Sequence, residues 1–292
     1  MRPLGRFAGV VTAVALVVGA CGPATKSPPS TTTAPSTTGP SNGPPTSTMP
    51  PAPTADVRVY FLRGDELDVA HRTVTATPRI ATAAMTELLA GPTPADVAAG
   101  VASAIPAGTR LLGLTIADGT ATVDLSGVFA AGGGSLSMAA RLAQVTYTLT
   151  QFPTVKGVVF RLDGQPLTVL GGEGIVIDHP ANRASFEALA PAILAEFPGR
   201  GWAVQSPLRT SGTANVFEGH FQVEVTDSAG QMLARQIVHA SSGTGTRGEF
   251  TTVLSFTPPT SGPGTLTLFD TSPKDGSRID VVQIPLELVA AK

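Results

Sequence analysis

Residues 112–125 read LGLTIADGTATVDL, two runs rich in β-branched residues that meet at Asp118-Gly119. Asp-Gly between such runs is the strongest short hairpin signal, because both central positions of the tight turn require a positive φ. The sequence therefore predicts a hairpin formed by Leu112–Ala117 and Thr120–Leu125.

Two helices are predicted to flank the hairpin. The first begins at Thr77-Pro78, where Thr is the N-cap and Pro the first helical residue, and ends at Gly91-Pro92. The second is capped by Ser135 and runs to about Gln151. Apolar residues at helical spacing give each helix one face for burial. These residues are Ile80, Ala81, Ala84, Met85 and Leu88 in the first helix, and Met138, Leu142, Val145 and Leu149 in the second.

Strands are predicted outside the helices. Val57–Leu62 precedes the first helix and Val155–Leu162 follows the second, while Leu167–Leu170 and Ile175–Ile177 can pair afterwards. The order β-α-β-β-α-β predicts an α+β sandwich, with helices on one face of a mostly antiparallel sheet. We assign this domain to residues 56–180.

The C-terminal part of the chain has a different pattern. A connector at residues 181–190, helical over Ala184–Leu189, leads into residues 191–292, where short strands alternate with turns. About seven short strands without a helix predict an all-β immunoglobulin-like sandwich. The predicted strands are Ile193–Phe197, Leu208–Ala214, His220–Asp227, Met232–Ala240, Glu249–Phe256, Thr265–Asp270 and Asp280–Leu288. The aromatic residues expected in its core are Phe217, Phe221, Phe250, Phe256 and Phe269.

The N-terminal part predicts export and a tether. Residues 1–20 combine Arg2 and Arg6 with the apolar stretch Phe7–Ala20, as in a secretory signal peptide, and that stretch is short for a membrane span of roughly 20 residues. Residues 21–55 begin with Cys21 and are otherwise rich in Pro, Thr and Ser, which predicts a disordered linker.

The run Val18-Gly19-Ala20-Cys21 resembles a bacterial lipobox, in which the cysteine thiol is acylated and the chain is cut before it. This resemblance implies a lipoprotein on the extracytoplasmic face of the cell membrane, with Cys21 as the lipid attachment site. The alternative is an ordinary cleaved signal with a chance cysteine.

Composition excludes several classes. A formal net charge of −2 without a basic cluster disfavours a nucleic-acid partner. A single cysteine leaves no internal disulfide, so the domains must be held by packing. The excess of Arg over Lys, with abundant Ala, Gly, Pro and Thr, is typical of a high-GC genome such as an actinobacterium.

Residues 57–180 resemble the GerMN domain of bacterial spore-germination proteins. The resemblance is carried by Tyr60-Phe61, Leu88–Pro92, Ile105–Thr109, Val123–Ser126, Phe129, Tyr147–Phe152, Val155 and Val158. Residues 191–292 resemble the immunoglobulin-like domain associated with such proteins (Gmad type), through Ser206-Pro207, Ser211–Glu218, Gly264–Leu266 and Asp275-Gly276. The two resemblances imply a non-enzymatic envelope lipoprotein that acts in assembly, ligand binding or sensing, and they supply no catalytic residues.

Other motifs are better explained by structure than by chemistry. Residues 243–248 fit G-x-G-x-x-G, but a strand follows where the dinucleotide fingerprint needs a helix, so a loop is predicted. Tyr147 and Gln151 are spaced as a helical i,i+4 pair, which favours packing over ligand contact. Asp124 is expected to cap a turn, and Trp202 either to cover a core edge or to anchor a partner.

The histidines give no catalytic or metal pattern. His71, His179, His220 and His239 lack zinc-ligand spacing, and His179, beside Asp178, is expected to be a solvated loop residue. We therefore assign no catalytic residue, metal ligand or cofactor, and no ligand-binding residue.

The leading hypothesis is a tethered binding or assembly module whose partner is an envelope protein or peptidoglycan. The alternatives are a hydrolase acting on the cell wall and a sensor lipoprotein for a small ligand.

Overall fold

The computed structural model describes residues 52–171 and 174–291. The predicted signal peptide, Cys21 and nearly all of the linker lie outside the described residues. The first described strand starts at Thr54, two residues before the predicted domain boundary at residue 56. Residues Pro50–Lys292 form one compact unit that contains both predicted domains.

The first domain is an α+β structure, as predicted. Its strands are β1 (Thr54–Arg63), β2 (Glu66–Thr75), β3 (Val101–Ala102), β4 (Leu111–Ala117), β5 (Thr120–Leu125), β6 (Gly157–Leu162), β7 (Gln165–Pro166), β8 (Val169–Leu170) and β9 (Ile175–Val176). Its α-helices are α1 (Ile80–Ala90), α2 (Pro94–Ala98) and α3 (Ser135–Leu149). The helices α1 and α3 pack on each other and on β1.

The predicted hairpin is confirmed as β4 and β5. Asp118 and Gly119 form its turn with φ values of 49° and 80°, which match the positive φ required of a two-residue turn. The strand β4 has one register irregularity, between Leu111 and Gly113. It lies at the edge of the sheet β4-β5-β6-β7, in which β5 and β6 are parallel.

The sheet arrangement differs from the prediction in two ways. The first strand is half of a hairpin with β2, in a separate sheet of order β2-β1-β3. The strand β2 was missed because charged residues interrupt its apolar alternation, although Leu67 and Val69 are buried in the core. The domain is therefore built on separate small sheets, including the predicted pair β8 and β9, rather than on one continuous sheet.

The two long helices begin close to the predicted residues, the first two residues later and the second one residue earlier. Thr77 accepts a hydrogen bond from the Arg79 backbone N–H at 3.2 Å, so it caps a turn, and the helix itself begins at Ile80. Ser135 is the first residue of α3, and its N-cap is Gly134. The predicted ends are close to those observed, because Gly91 follows α1 with a φ of 85°.

The connector is a 3-10 helix over Arg183–Leu189, and an immunoglobulin-like sandwich follows it as predicted. One sheet has the order β10-β12-β15 and the other β11-β17-β16-β13-β14. The strands are β10 (Ile193–Phe197), β11 (Ala203–Val204), β12 (Leu208–Ala214), β13 (His220–Asp227), β14 (Met232–His239), β15 (Gly248–Leu254), β16 (Gly262–Thr271) and β17 (Arg278–Leu288).

Four of the five phenylalanines predicted in the sandwich core are buried: Phe221, Phe250, Phe256 and Phe269. The prediction was wrong for Phe217, which is 62% exposed. Phe217 lies in a short 3-10 turn before β13, where strand alternation does not determine the direction of the side chain.

Candidate functional site

The candidate site is a cleft between the two domains, with a volume of about 480 Å³. That volume lies in the range of small-molecule sites, roughly 300–1,000 Å³. Strand β2 lines one side of the cleft, and the start of β10 and the middle of β17 line the other. The lining combines charged side chains with apolar ones; it includes Arg63, Glu66, Leu67, Asp68, Val69, His71, Ile193, Leu194, Arg200 and Val281–Pro285.

A carboxylate shared by two guanidinium groups lies in the wall of the cleft. Asp68 of β2 pairs with Arg63 of the same hairpin at 2.8 Å and with Arg200 of the second domain at 3.3 Å. Arg200 also donates to the Gln283 backbone carbonyl at 2.7 Å. Both arginine side chains stay about one-third exposed, at 38% and 30%, so they remain accessible from the cleft.

His71 and Trp202 lie where the two domains meet beside the cleft. One ring nitrogen of His71 lies 2.6 Å from a carboxylate oxygen of Asp56, and the other lies 3.0 Å from the Glu196 carbonyl oxygen. Trp202 packs edge-on against His71, with ring centroids 4.7 Å apart, and against Phe197 at 5.2 Å. Trp202 therefore covers a core edge where the domains meet, as one of the two interpretations of the sequence expected.

A buried ion cluster lies behind the cleft. Glu196 of β10 pairs with Arg183 at 2.6 Å and with Arg58 at 3.1 Å, and it accepts a short hydrogen bond from the Tyr60 hydroxyl. Arg183 also donates to Tyr60 Oη at 3.0 Å and lies over the Tyr147 ring at 4.7 Å. The second domain thus places its carboxylate in a cationic and aromatic pocket of the first domain and its connector.

The electrostatics of this cluster favour a charged carboxylate. Burial works to raise the pKa of Glu196, but the guanidinium groups of Arg183 and Arg58 and the hydrogen bond from Tyr60 hold that pKa below its ordinary value. Burial and the neighbouring Glu196 carboxylate raise the pKa of Tyr60. The Tyr60 hydroxyl therefore keeps its proton and acts as a donor.

A second junction joins the connector to the second domain. Glu187 pairs with Arg247 at 2.9 Å and accepts from the Asn215 amide at 2.8 Å. Arg247 also donates to the Pro191 carbonyl at 2.8 Å. Burial works to raise the pKa of Glu187, but hydrogen bonds from Arg247 and Asn215 lower it.

The helical pair singled out in the sequence is structural. Tyr147 is fully buried, with its ring 5.4 Å from that of Tyr60. Gln151 accepts from the Arg58 backbone N–H at 2.9 Å and donates to the Arg58 carbonyl at 2.6 Å. Neither side chain lines the cleft.

Other candidate residues also have structural roles. Asp124 caps the turn after β6 by accepting from the Gly164 N–H at 3.0 Å. Residues 243–247 lie in the loop between β14 and β15, as predicted, and Gly248 begins β15. A Cβ on Gly243 would lie 2.3 Å from the Gly219 nitrogen. That glycine is needed for close packing of two loops. His179 is exposed beside Asp178 at 2.5 Å.

The structure brings two histidines together that sequence spacing keeps apart. His220 and His239 face each other across β13 and β14, with ring centroids 5.9 Å apart. Only a prediction of strand register could have found this pair.

Within residues 52–171 and 174–291, no group of three His, Cys, Asp or Glu side chains is placed to hold a metal ion. Among the described helices, none has the length and apolar character needed to cross a bilayer.

Sequence reasoning assigned no ligand residue and missed the cleft and the cluster behind it. Asp68, Arg183 and Glu196 lie far apart in the sequence and carry no motif. The one available signal was the charge at Glu196, inside a short strand that is otherwise apolar.

The comparisons with known families agree with this architecture. Residues 58–168 match the family Germane, described as sporulation and spore germination. Residues 193–277 match Gmad2, the immunoglobulin-like domain of bacterial spore germination. The chain therefore contains a Germane (GerMN-type) domain followed by a Gmad2 domain. No curated protein matches the chain.

Solved structures give distant similarities. The tandem GerMN domains of the sporulation protein GerM from Bacillus subtilis align with a TM-score of 0.40 at 16% identity, over 70% of this chain and 62% of that one. The first GerMN domain of the same protein aligns at 0.37 and 24% identity, over 45% of this chain and 99% of that one. A putative lipoprotein from Clostridium perfringens aligns at 0.35 and 21% identity, over 47% and 93%. The chain spans about six-tenths of the tandem structure.

Proposed function

We propose that this protein is a cell-envelope lipoprotein, anchored through Cys21 at the extracytoplasmic face of the membrane, that acts by binding and not by catalysis. The observation that carries the binding role is the cleft between the domains. Its ligand is a segment of another envelope protein or of peptidoglycan.

The chemistry of the cleft suits a polymer with both polar and apolar groups. Arg63 and Arg200 offer partly exposed guanidinium groups for a carboxylate. Val281, 47% exposed, offers an apolar contact from β17. Both peptides and the peptide stems of peptidoglycan carry such mixed chemistry.

The ion cluster behind the cleft supports the same proposal. A cleft between two domains binds tightly only when the domains keep their relative position, because ordering them on binding costs free energy. The contacts of Glu196 with Arg58 and Arg183 join the domains beside the cleft. The cleft is therefore preorganised for its ligand.

The test is a pull-down with purified cell walls and, separately, with detergent-solubilised membrane proteins. It uses residues 50–292, which form one compact unit. Val281→Arg places a long charged side chain in the cleft and is expected to reduce retention. Val253→Arg is the matched control, because Val253 is 51% exposed on β15 and does not line the cleft.

The outcomes separate the alternatives. Retention that is lost in Val281→Arg and kept in Val253→Arg supports cleft binding, and the sample that retains the protein identifies the partner as wall or protein. Clearing of the wall suspension that disappears when a carboxylate is substituted would instead establish the hydrolase alternative. Equal retention of both variants would exclude the cleft as the binding site.

A further inference from the structure

The edge strand β4 has no strand partner on its outer side. It pairs with β5 alone, and within the described residues no other strand bonds to it. Its sequence LLGLTIA contains neither a charged residue nor proline. Leu112 and Ile116 are 48% and 41% exposed. A long apolar edge of this kind favours pairing with another chain, and natural proteins usually protect it with charges or proline.

Other edge strands of the protein are protected in that way. The strand β2 carries Glu66, Asp68 and Arg72, and β14 carries Arg235. Two of these charges pair across neighbouring strands, since Asp68 binds Arg63 and Arg235 binds Glu224. Among these edge strands, β4 stands out because it carries no charged residue.

The hairpin turn determines which backbone groups face outward. A two-residue turn closes on a hydrogen-bonded pair, here Ala117 with Thr120, and such pairs alternate along the strands. The N–H and C=O groups of Thr115 therefore point toward β5, whereas those of Leu114 and Ile116 point to the open edge. An incoming strand finds unpaired donors and acceptors at alternate residues.

A groove adjoins this edge. It has a volume of about 240 Å³ and lies between β4, the start of α1 and the segment after α3. Leu114 and Ile116 line it together with Ile80 and Phe152. Side chains of an added strand that point to this face would enter the groove, as in recognition by strand addition.

The charges at the two ends of β4 match a second copy of the same strand. In an antiparallel pair with its two-fold axis at Leu114, Arg110 lies opposite Asp118 of the other copy, and Leu112 lies opposite Ile116. Arg110 and Asp118 are both exposed, and among the described residues neither forms an ion pair in the single chain. Opposite charges placed directly across a strand pair stabilise it.

We propose that two copies of this protein associate through antiparallel pairing of β4 with β4, centred on Leu114. The interface is isologous, so the Arg110–Asp118 ion pair and the Leu112–Ile116 contact each occur twice, and Leu114 meets its own copy on the axis. The predicted linker at residues 21–55 is a poor occupant of the edge, because its many prolines lack the N–H group that strand pairing needs.

The test begins with the full chain extracted from membranes in detergent, whose oligomeric state is measured by sedimentation. The wild-type chain is expected to be a dimer. Ile116→Lys places a charge on each copy within the apolar edge and is expected to weaken the dimer at least about tenfold. Ile237→Lys is the matched control, because Ile237 is 62% exposed on the edge strand β14.

Crosslinking tests the register independently. A hydrogen-bonded antiparallel pair places its Cα atoms about 5.5 Å apart, within the range of a disulfide. Leu114→Cys is therefore expected to form a disulfide-linked dimer under mild oxidation. The wild-type chain, whose one cysteine is Cys21, and Ile237→Cys are expected to remain uncrosslinked.

Three results would overturn the proposal. A monomeric wild-type chain would exclude pairing of β4 with a second copy, so that any partner strand at this edge would belong to a different protein. A dimer that resists Ile116→Lys, in a variant with an unchanged thermal melt, would place the interface elsewhere. A dimer sensitive to Ile116→Lys that shows no Leu114→Cys crosslink would exclude the two-fold register.

Discussion

The hydroxyl of Tyr60, in the first domain, donates a hydrogen bond to the carboxylate of Glu196, in the second. The two residues lie 136 positions apart in the sequence. Tyr60 is fully buried and Glu196 is only 8% exposed, so the bond is shielded from solvent. It joins the first-domain core directly to the first strand of the sandwich.

Strand β10 also joins the two domains through its apolar residues, although each domain has a separate hydrophobic core. Leu194 belongs to the core of the first domain, whereas its neighbour Ile193 belongs to that of the second. Alternate residues of β10 thus contribute to two cores. The domain boundary falls within a strand and not in a linker.

Glu196→Gln is expected to lower the free energy of unfolding of residues 50–292 by about 3 kcal/mol, since removing the buried carboxylate charge leaves two partly buried guanidinium groups uncompensated. Urea unfolding measures the change. Glu249→Gln provides the control because Glu249 is exposed on β15. Equal stabilities of the two variants would contradict a stabilising role for the cluster.

The pH dependence of stability follows from the same cluster. Because the folded-state pKa of Glu196 lies below its ordinary value of 4.5, its contribution is fully present above that pH. It is lost as the pH falls toward the folded-state pKa. Urea midpoints measured from pH 7 to pH 3 should therefore fall at the acid end, and less steeply in Glu196→Gln. Parallel profiles for the two proteins would assign the acid sensitivity to other carboxylates.

The sequence predicted the sandwich strands closely because alternation and turn residues act locally. Four predicted strands end near the observed residues, and Ile193–Phe197, Leu208–Ala214 and His220–Asp227 have the predicted bounds. The ion cluster and the cleft were not predictable in this way. They depend on contacts that Asp68, Arg183 and Glu196 make between distant parts of the chain. No local sequence pattern predicts such contacts.

The helix α3 shows a second limit of pattern reasoning. The sequence predicts one buried face, yet the structure buries every residue from Ala140 to Leu149. Two of the buried polar side chains satisfy the backbone of β1. The Tyr60 N–H donates to Thr148 Oγ1 at 3.2 Å, and Gln144 donates to the Tyr60 carbonyl at 3.0 Å. These side chains replace a neighbouring strand along part of β1.

Gln151→Met tests this replacement. It retains much of the side-chain volume but leaves the Arg58 N–H and carbonyl without their partner. Stability is expected to fall by about 1–3 kcal/mol, the cost of unsatisfied buried backbone groups. Thermal unfolding measures it, and Gln165→Met, on the exposed strand β7, is the control. A loss no larger than that of Gln165→Met would show that solvent substitutes for the glutamine.

The proposed lipid anchor at Cys21 gives a prediction about localisation. Cys21→Ser removes the thiol that a lipobox cysteine contributes to acylation, so the variant is expected to be lost from washed membranes. Fractionation of cells at high salt, with antibody detection, measures its distribution. Ser27→Ala, a substitution in the predicted linker, is the control. Sedimentation of Cys21→Ser with membranes would rule out the thioether anchor.

The last prediction concerns the two domains when they are separated. Each has its own hydrophobic core, so residues 56–190 and 191–292 are both expected to fold as isolated fragments. Each fragment should be less stable than the joined unit, because separation exposes Leu194 and removes Glu196 from Arg58 and Arg183. Dispersed NMR amide spectra with lowered melting temperatures are the expected result.

A boundary variant sharpens this experiment. Extending the first fragment to residue 197 restores the whole of β10, including Leu194 and Glu196. The melting temperature of the first domain should therefore rise toward that of the joined chain. An extended fragment with Glu196→Gln is the matched control. Its melting temperature should rise by a smaller amount, because only the apolar contacts of Leu194 are restored. A collapsed spectrum for either original fragment would mean that its core forms only in the presence of the other domain.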